Sequence, residues 1–402
     1  MRNGRCQNNC CQSGSCSMSS FMEAIYPVDR QNDGMSLQDE GQARACSLPE
    51  IASLVELVRI ESMTKEEAIR AADPYSIGSL LREAEPFSGD QGDLGAPELL
   101  LGWCDDARGM GIFAEDWTYP PEQAEALSGT AGLTLLREDD WLARGHLKEI
   151  YEEWIMQYAG LSGRPHPSIA CRERLLYRWK GHMETVLHHL DERVLRVALI
   201  SGLDIMKGHP REKEALSDLR DIQLEALFRA ALACHRQGME HRIEILVPHT
   251  SDPETWNQTH ELIERVAEET LCHQRRAVSF SIGALMNADI ACSAAADLAR
   301  SANLLVLDCG GISDPETPWP DDVVEHIAAL SGTIRKIRPR LLLRATGLRN
   351  TADLPAVYRA GFAEIGVPAE QLPAFRLAAA QWEIQQRAGR SSSSQSTMRV
   401  KG

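Results

Sequence analysis

From about residue 108 the chain repeats one pattern eight times: a short unbroken apolar run, then a longer stretch with apolar residues at helical spacing. The runs are GIFA (111–114), GLTLL (132–136), RVALI (196–200), RIEILV (242–247), AVSFSI (277–282), NLLVLD (303–308), RLLLRA (340–345) and FAEIGV (362–367). Continuous apolar runs of this length suit strands buried on both faces, and such strands belong to parallel sheets covered by helices. Eight strand–helix units over about 280 residues match the count and size of a (β/α)8 barrel, so the expected fold is α/β, a TIM barrel. A doubly wound open sheet is the alternative.

The flanks read differently. Residues 1–48 lack apolar periodicity and are expected to form a disordered, Cys-containing tail, and 388–402 a disordered Ser-rich one. Between the first tail and the barrel, 49–100 reads as a helical segment and linker. LPEIASLVELVRI has helical spacing, MTKEEAIRAAD offers Thr64 as N-cap with Glu67 three residues on, and Asp73-Pro74 should end that helix. FSGDQGDLGAPE then looks like a Gly/Asp/Pro linker leading to a barrel over 105–387.

Charge and composition exclude several function classes. With 58 acidic against 42 basic residues the net charge is −16, and no basic patch offsets it, which argues against nucleic-acid binding. No apolar run approaches the roughly 20 residues needed to cross a bilayer, and the first residues have no apolar signal core. A cytoplasmic protein is therefore expected. Seven of the 11 cysteines are scattered singly from Cys46 to Cys309, as small buried side chains would be. Cys6, Cys10, Cys11 and Cys16 cluster in the N-terminal tail, where a metal site and a plain thiol-bearing tail are both open readings.

A barrel of this kind carries its site at the C-terminal ends of the strands. The runs place Glu115, Asp116, Arg137, Glu138, Asp139, Ser201, Asp204, Pro248 and His249 there. They also place Gly283, Asn287, Asp308, Cys309, Gly310, Gly311, Arg344, Thr346, Gly366 and Pro368 there. Arg137, His249 and Arg344 are candidates to converge on a phosphate or carboxylate, because a guanidinium fork makes bidentate bonds to oxyanions. Pairing with neighbouring acids at the rim is the competing reading for each. Asp204, Asp289 and Asp308 are the candidate carboxylates for Mg²⁺. No phosphate loop of the GxxxxGK[ST] or GxGxxG type is present. Cys309 with His249 is the only nucleophile–base pairing the pattern offers.

Several segments resemble the C-terminal barrel of pyruvate phosphate dikinase and other phosphoenolpyruvate-utilising enzymes. PPEQAEALSGTAGLTLLREDDW (120–141) looks like that family's "TPEDA…GAEGIGLxRTEHMF". RIEILVPHTSDPETWNQTHELIERVAEE resembles its "EIMIPLVxxxEE" strand and helix. SIGALMNADIACSAAADLARSANLLVLDCGG is similar to "KIGTMIEIPRAxxxADEIAxxADFFSFGTND". VPAEQLPAFRLAAAQ is close to "CSPFRVPIARLAAAQ", and ESMTKEEAIRAADPYSIGSLL (61–81) to "GLITKEEALLRVDPEQLDQLL". The likeness covers roughly residues 50–385 and keeps the order of segments.

The resemblance implies a Mg²⁺-dependent phosphotransferase acting on phosphoenolpyruvate or pyruvate, with a homodimer formed through the barrel. It also implies what is missing. Neither a nucleotide-binding region nor the phosphohistidine motif "GGMTSHAA" is present. Arg137 matches an Arg that would bind substrate phosphate and Asp204 an Asp of "TIRLLD", whose Arg falls on Ser201. The Mg²⁺-binding Glu falls on Asn287, the Mg²⁺-binding Asp on Gly311, and the catalytic Cys on Arg344 or Ala345. The expected protein is thus a catalytically degenerate relative acting in binding or regulation, with Arg137, Asp204 and Arg344 as ligand contacts. The alternative is an active Mg²⁺-dependent phosphotransferase or lyase on phosphoenolpyruvate, pyruvate or a related 2-oxo acid, using Asp289 and Asp308 as relocated metal ligands.

Overall fold

The computed structural model describes residues 48–74, 77, 95–115, 133–137, 142, 147–160, 166–190, 194–248 and 252–399. Three helices lead in: α1 (Leu48–Arg59), α2 (Lys65–Ala71) and α3 (Ala96–Ala107). Eight strands follow: β1 (Gly111–Glu115), β2 (Leu133–Arg137), β3 (Val194–Ala198), β4 (Arg242–Pro248), β5 (Ser279–Asn287), β6 (Leu304–Asp308), β7 (Leu342–Thr346) and β8 (Glu364–Pro368). They form one closed barrel in sequence order, and β1 pairs in parallel with β8 to close it. This is the TIM-barrel architecture expected from the sequence, not an open sheet. β1, β2, β4, β6, β7 and β8 begin within two residues of their apolar runs. β3 starts two residues early, and β5 extends five residues past its run because SIGALMN continues it.

The outer ring among the described residues comprises α4 (Lys148–Tyr158), α5 (Ile169–Leu190), α6 (Glu212–Arg236), α7 (Pro253–Leu271), α8 (Cys292–Ser301), α9 (Asp321–Ile337), α10 (Leu354–Ala360) and α11 (Leu372–Arg399). Their buried faces and the outward strand residues make one large core. The expected helix PPEQAEALS lies outside the described residues, as does the tail 1–47. At the other end, α11 runs to Arg399, past residue 388 where the sequence placed the start of a loose tail. Nothing in AGRSSSSQSTMR forbids this, since no proline follows Pro373.

The lead-in helices do not stand apart from the barrel as the linker reading suggested. Ile51, Ile69, Leu100, Leu101 and Cys104 share a second core with Leu377, Ala380 and Ile384 of α11. Gln381 fastens it, donating from Nε2 to the carbonyls of Ile69 and Ala72 at 2.8 Å each. The capping box at α2 is as expected: Thr64 Oγ1 accepts from the Glu67 N–H (3.2 Å), and Glu67 accepts from the Thr64 N–H (2.9 Å). No described helix is long and apolar enough to cross a membrane.

Inside the barrel, alternation along the strands sorts the inward side chains into layers. Leu135, Ala198, Leu246, Leu285 and Val306, with Leu304, form a dry apolar layer of their own. Polar residues lie on either side of it, toward the C-terminal mouth and toward the opposite end.

Candidate functional site

The mouth is assembled from strand ends. Arg137 is the last residue of β2 and Asp308 the last of β6, and both have the inward parity of Leu135 and Val306. Arg137 Nη2 donates to Asp308 Oδ2 at 2.9 Å, with the two side chains 28% and 12% exposed. The other oxygen of Asp308, Oδ1, accepts from the Gly310 N–H at 3.0 Å. Beside this pair, Glu115 at the end of β1 accepts through Oε1 from both the Thr346 hydroxyl and the Gly347 N–H at the end of β7.

One wall of the mouth is stiff. The loops after β6 and β7 are tied by the Arg349 N–H donating to Ser313 Oγ (2.9 Å), the Trp319 N–H to Asp353 Oδ1 (2.8 Å), and the Cys309 N–H to the Thr346 carbonyl (2.7 Å). Gly347 has φ +82° and lies so close to Gly310 that a Cβ there would fall 2.3 Å from the Gly310 nitrogen. Only glycine fits this position on both counts.

The sequence candidates fare unequally. Arg137 and Asp308 meet at the mouth, paired with each other. Asp204, on a one-turn 3₁₀ segment (Asp204–Met206), and Asp289, just past β5, are both exposed. Asn287 is exposed too, and at the β3 end the residue in register with Arg137 is the apolar Ala198. Cys309 is fully buried, and burial first, then Asp308 and Glu115, pushes its thiol well above the usual range. It is a protonated thiol and no nucleophile at neutral pH. Asp116, Glu138, Asp139 and His249 lie outside the described residues.

Arg344 is not at the mouth. It is the third of five residues in β7, 3% exposed, beneath the apolar layer. There Arg196, Glu244, Arg344 and Glu364 form a balanced quartet. Arg196 donates to Glu244 Oε2 and Glu364 Oε2 at 2.8 Å each, and Arg344 donates to Glu244 Oε1 (3.3 Å) and Glu364 Oε1 (3.4 Å). Arg196 also stacks on Phe113, 4.3 Å from the ring centre. The sequence reading missed this quartet, although a charge inside each of RVALI, RIEILV, RLLLRA and FAEIGV was its signal. An apolar strand buried on both faces has no place for a lone charge, so these charges had to meet inside.

Among the described residues, the positions the resemblance assigns to Mg²⁺ do not fit it. One or two carboxylates are the usual protein contribution to such a site, with waters and substrate phosphates completing the shell. Here Asn287 offers a neutral oxygen and Gly311 none. Both oxygens of Asp308 are engaged, and no group of three or more His, Cys, Asp or Glu side chains gathers among the described residues.

No family model matches the chain. Among curated proteins it is similar to pyruvate, phosphate dikinase 1 (chloroplastic) of Zea mays, 23% identical over 295 residues, which is 64% of this chain and 31% of that protein. It is also similar to the chloroplastic enzyme of Mesembryanthemum crystallinum, 27% identical over 247 residues, covering 52% of this chain and 26% of the relative. The chain therefore spans under a third of the length of the curated relatives it matches. Among solved structures, tryptophan synthase from M. tuberculosis aligns over 70% of this chain and 97% of that one at 12% identity and a TM-score of 0.34, which adds nothing to the topology. The partial matches to several plant pyruvate, phosphate dikinases are consistent with a barrel of the phosphoenolpyruvate-utilising type.

Proposed function

We propose that this chain is a catalytically degenerate barrel of the phosphoenolpyruvate-utilising type that acts by binding, with a phosphoenolpyruvate- or pyruvate-like oxyanion as its ligand. The observation that carries the reading is the Arg137–Asp308 contact of 2.9 Å. The guanidinium that would take substrate phosphate is held by Asp308, a carboxylate at the end of β6. Without the metal ligands and the catalytic Cys that the resemblance expects, such a barrel would lack both Lewis-acid stabilisation and that route of proton delivery, together worth many powers of ten in rate. Binding does not require that machinery, because a guanidinium at the mouth can exchange the Asp308 carboxylate for the oxygens of a ligand.

The test is a turnover assay with phosphoenolpyruvate or pyruvate, Mg²⁺ and a range of phosphate donors, run beside calorimetric titration of phosphoenolpyruvate. No turnover is expected, with weak binding that Arg137→Ala abolishes. Measurable interconversion of pyruvate and phosphoenolpyruvate would refute degeneracy, and binding that survives Arg137→Ala would refute the site.

A further inference from the structure

On the face opposite the mouth, a cleft of about 600 Å³ opens where Gly109 and Met110 lead into β1, between α10 and α11. Its walls include Tyr358, Phe362 and Trp382, and Arg359 and Arg387 also line it. The Tyr358 and Trp382 ring centres are 6.2 Å apart with planes 31° from parallel, so a face of each is angled rather than stacked shut.

The charge in the cleft is unevenly committed. Glu383, its one carboxylate, accepts from the Gly109 N–H at 2.8 Å, the Met110 N–H at 3.1 Å and the Tyr358 hydroxyl at 2.7 Å. Burial first, and then Glu383, push the Tyr358 hydroxyl up, so it stays protonated and keeps donating. Glu383 is thus satisfied from within the chain. The arginines are held by carbonyls: Arg359 Nε donates to Pro355 O at 3.0 Å, and Arg387 Nη2 to Ala107 O. The bond to Pro355 fixes the Arg359 stem, and Arg359 is exposed with no described carboxylate within ion-pair distance. The cleft thus has two arginines and three aromatic side chains in one lining. A guanidinium fork selects a carboxylate or phosphate, and an aromatic face selects a flat ring.

We propose that this cleft is a second ligand site, for a small oxyanion that carries a flat ring, such as an aromatic carboxylate or an aryl phosphate. It lies on the opposite face from Arg137 and does not depend on the reading of the mouth.

Titration calorimetry of the full chain with phenyl phosphate, phenylacetate, cyclohexyl phosphate and inorganic phosphate tests it. Phenyl phosphate and phenylacetate should bind, and cyclohexyl phosphate and inorganic phosphate should bind about tenfold more weakly or not at all, a factor typical of one lost stacking or ionic contact. Arg359→Gln, at an exposed position, should weaken phenyl phosphate by about tenfold while the melting temperature holds, and Trp382→Phe should retain binding where Trp382→Leu does not. Arg137→Ala should leave this binding unchanged. Equal binding of the phenyl and cyclohexyl compounds, no binding of either aromatic probe, or binding that follows Arg137 instead of Arg359 would overturn the proposal.

Discussion

Arg137 Nη2 and Asp308 Oδ2 stand 2.9 Å apart, joining the ends of β2 and β6 over the apolar layer of the barrel. The pair is only partly exposed, so it is worth more than a surface ion pair and less than a buried one. Asp308→Asn keeps an oxygen for the Gly310 N–H and removes the charge that competes for the guanidinium. Phosphoenolpyruvate affinity should then rise by about tenfold, equivalent to one charge-assisted hydrogen bond gained by the ligand, while the melting temperature moves by no more than a few degrees. Titration calorimetry and thermal melting read both quantities. An unchanged or weaker affinity would mean that Asp308 does not guard Arg137.

Most of the fold was legible because each strand of a parallel barrel is buried on both faces and so writes itself as an unbroken apolar run. The mouth was legible only in part. Strand-end position picked out Arg137 and Asp308 from the sequence, but pairing across the barrel joins residues 171 apart, and no local spacing encodes that. Arg344 shows the opposite error. Its run, RLLLRA, ends close to it, yet the strand continues to Thr346, and two residues of rise, about 6–7 Å, carry Arg344 from the rim into the interior. The docking of α1, α2 and α3 on α11 was invisible for the same reason as the ion pair, since that core joins the two ends of the described chain.

Arg344 is one of the two positions, with Ala345, on which the dikinase resemblance puts a catalytic Cys, which makes Arg344→Cys an informative substitution. The position lies inside the barrel, so the thiol would meet Glu244 and Glu364 rather than a ligand. Two carboxylates would then face the single remaining cation, Arg196. Breaking a buried network in this way costs about 3–5 kcal/mol. Chemical denaturation should show that loss, with no gain of turnover. Burial alone would raise the Glu244 carboxyl, but Arg196 and Arg344 outweigh it and hold it below its usual range. That stabilisation is present above about pH 4.5 and is lost as pH falls through the depressed folded-state value, so acid should unfold Arg344→Cys at higher pH than the parent.

His182, on α5, gives a second pH dependence with its own window. Burial pulls its imidazole from 6.5 down to about 4. The folded protein therefore holds it neutral, while the unfolded chain protonates it near pH 6.5. Stability from this residue is complete above that pH and declines as pH falls toward 4, by about 1–3 kcal/mol in total. Urea unfolding at pH 7.5, 6 and 5 should show the decline in the parent chain and a flatter profile in His182→Phe. Identical slopes in the two would rule out His182 as its source.

Gly347 tests whether the stiff wall of the mouth rests on backbone contact. Its φ of +82° alone would cost an L-residue about 1–2 kcal/mol, and an added Cβ would also strike the Gly310 backbone at 2.3 Å. Gly208 separates the two effects, because its φ is +78° but nothing lies within 4 Å of a Cβ there. Gly208→Ala should cost only the conformational penalty of about 1 kcal/mol. Gly347→Ala should cost clearly more, because either backbone segment can yield only by straining a hydrogen bond: Glu115 holds the Gly347 N–H, and Asp308 holds the Gly310 N–H. It should also disturb the mouth, since moving Gly310 shifts Asp308, which it holds, and so weakens the contact with Arg137. Equilibrium denaturation of both variants, with phosphoenolpyruvate titrated into Gly347→Ala, separates these effects. Equal stability losses at the two glycines would show that the Gly310–Gly347 contact adds nothing to the wall.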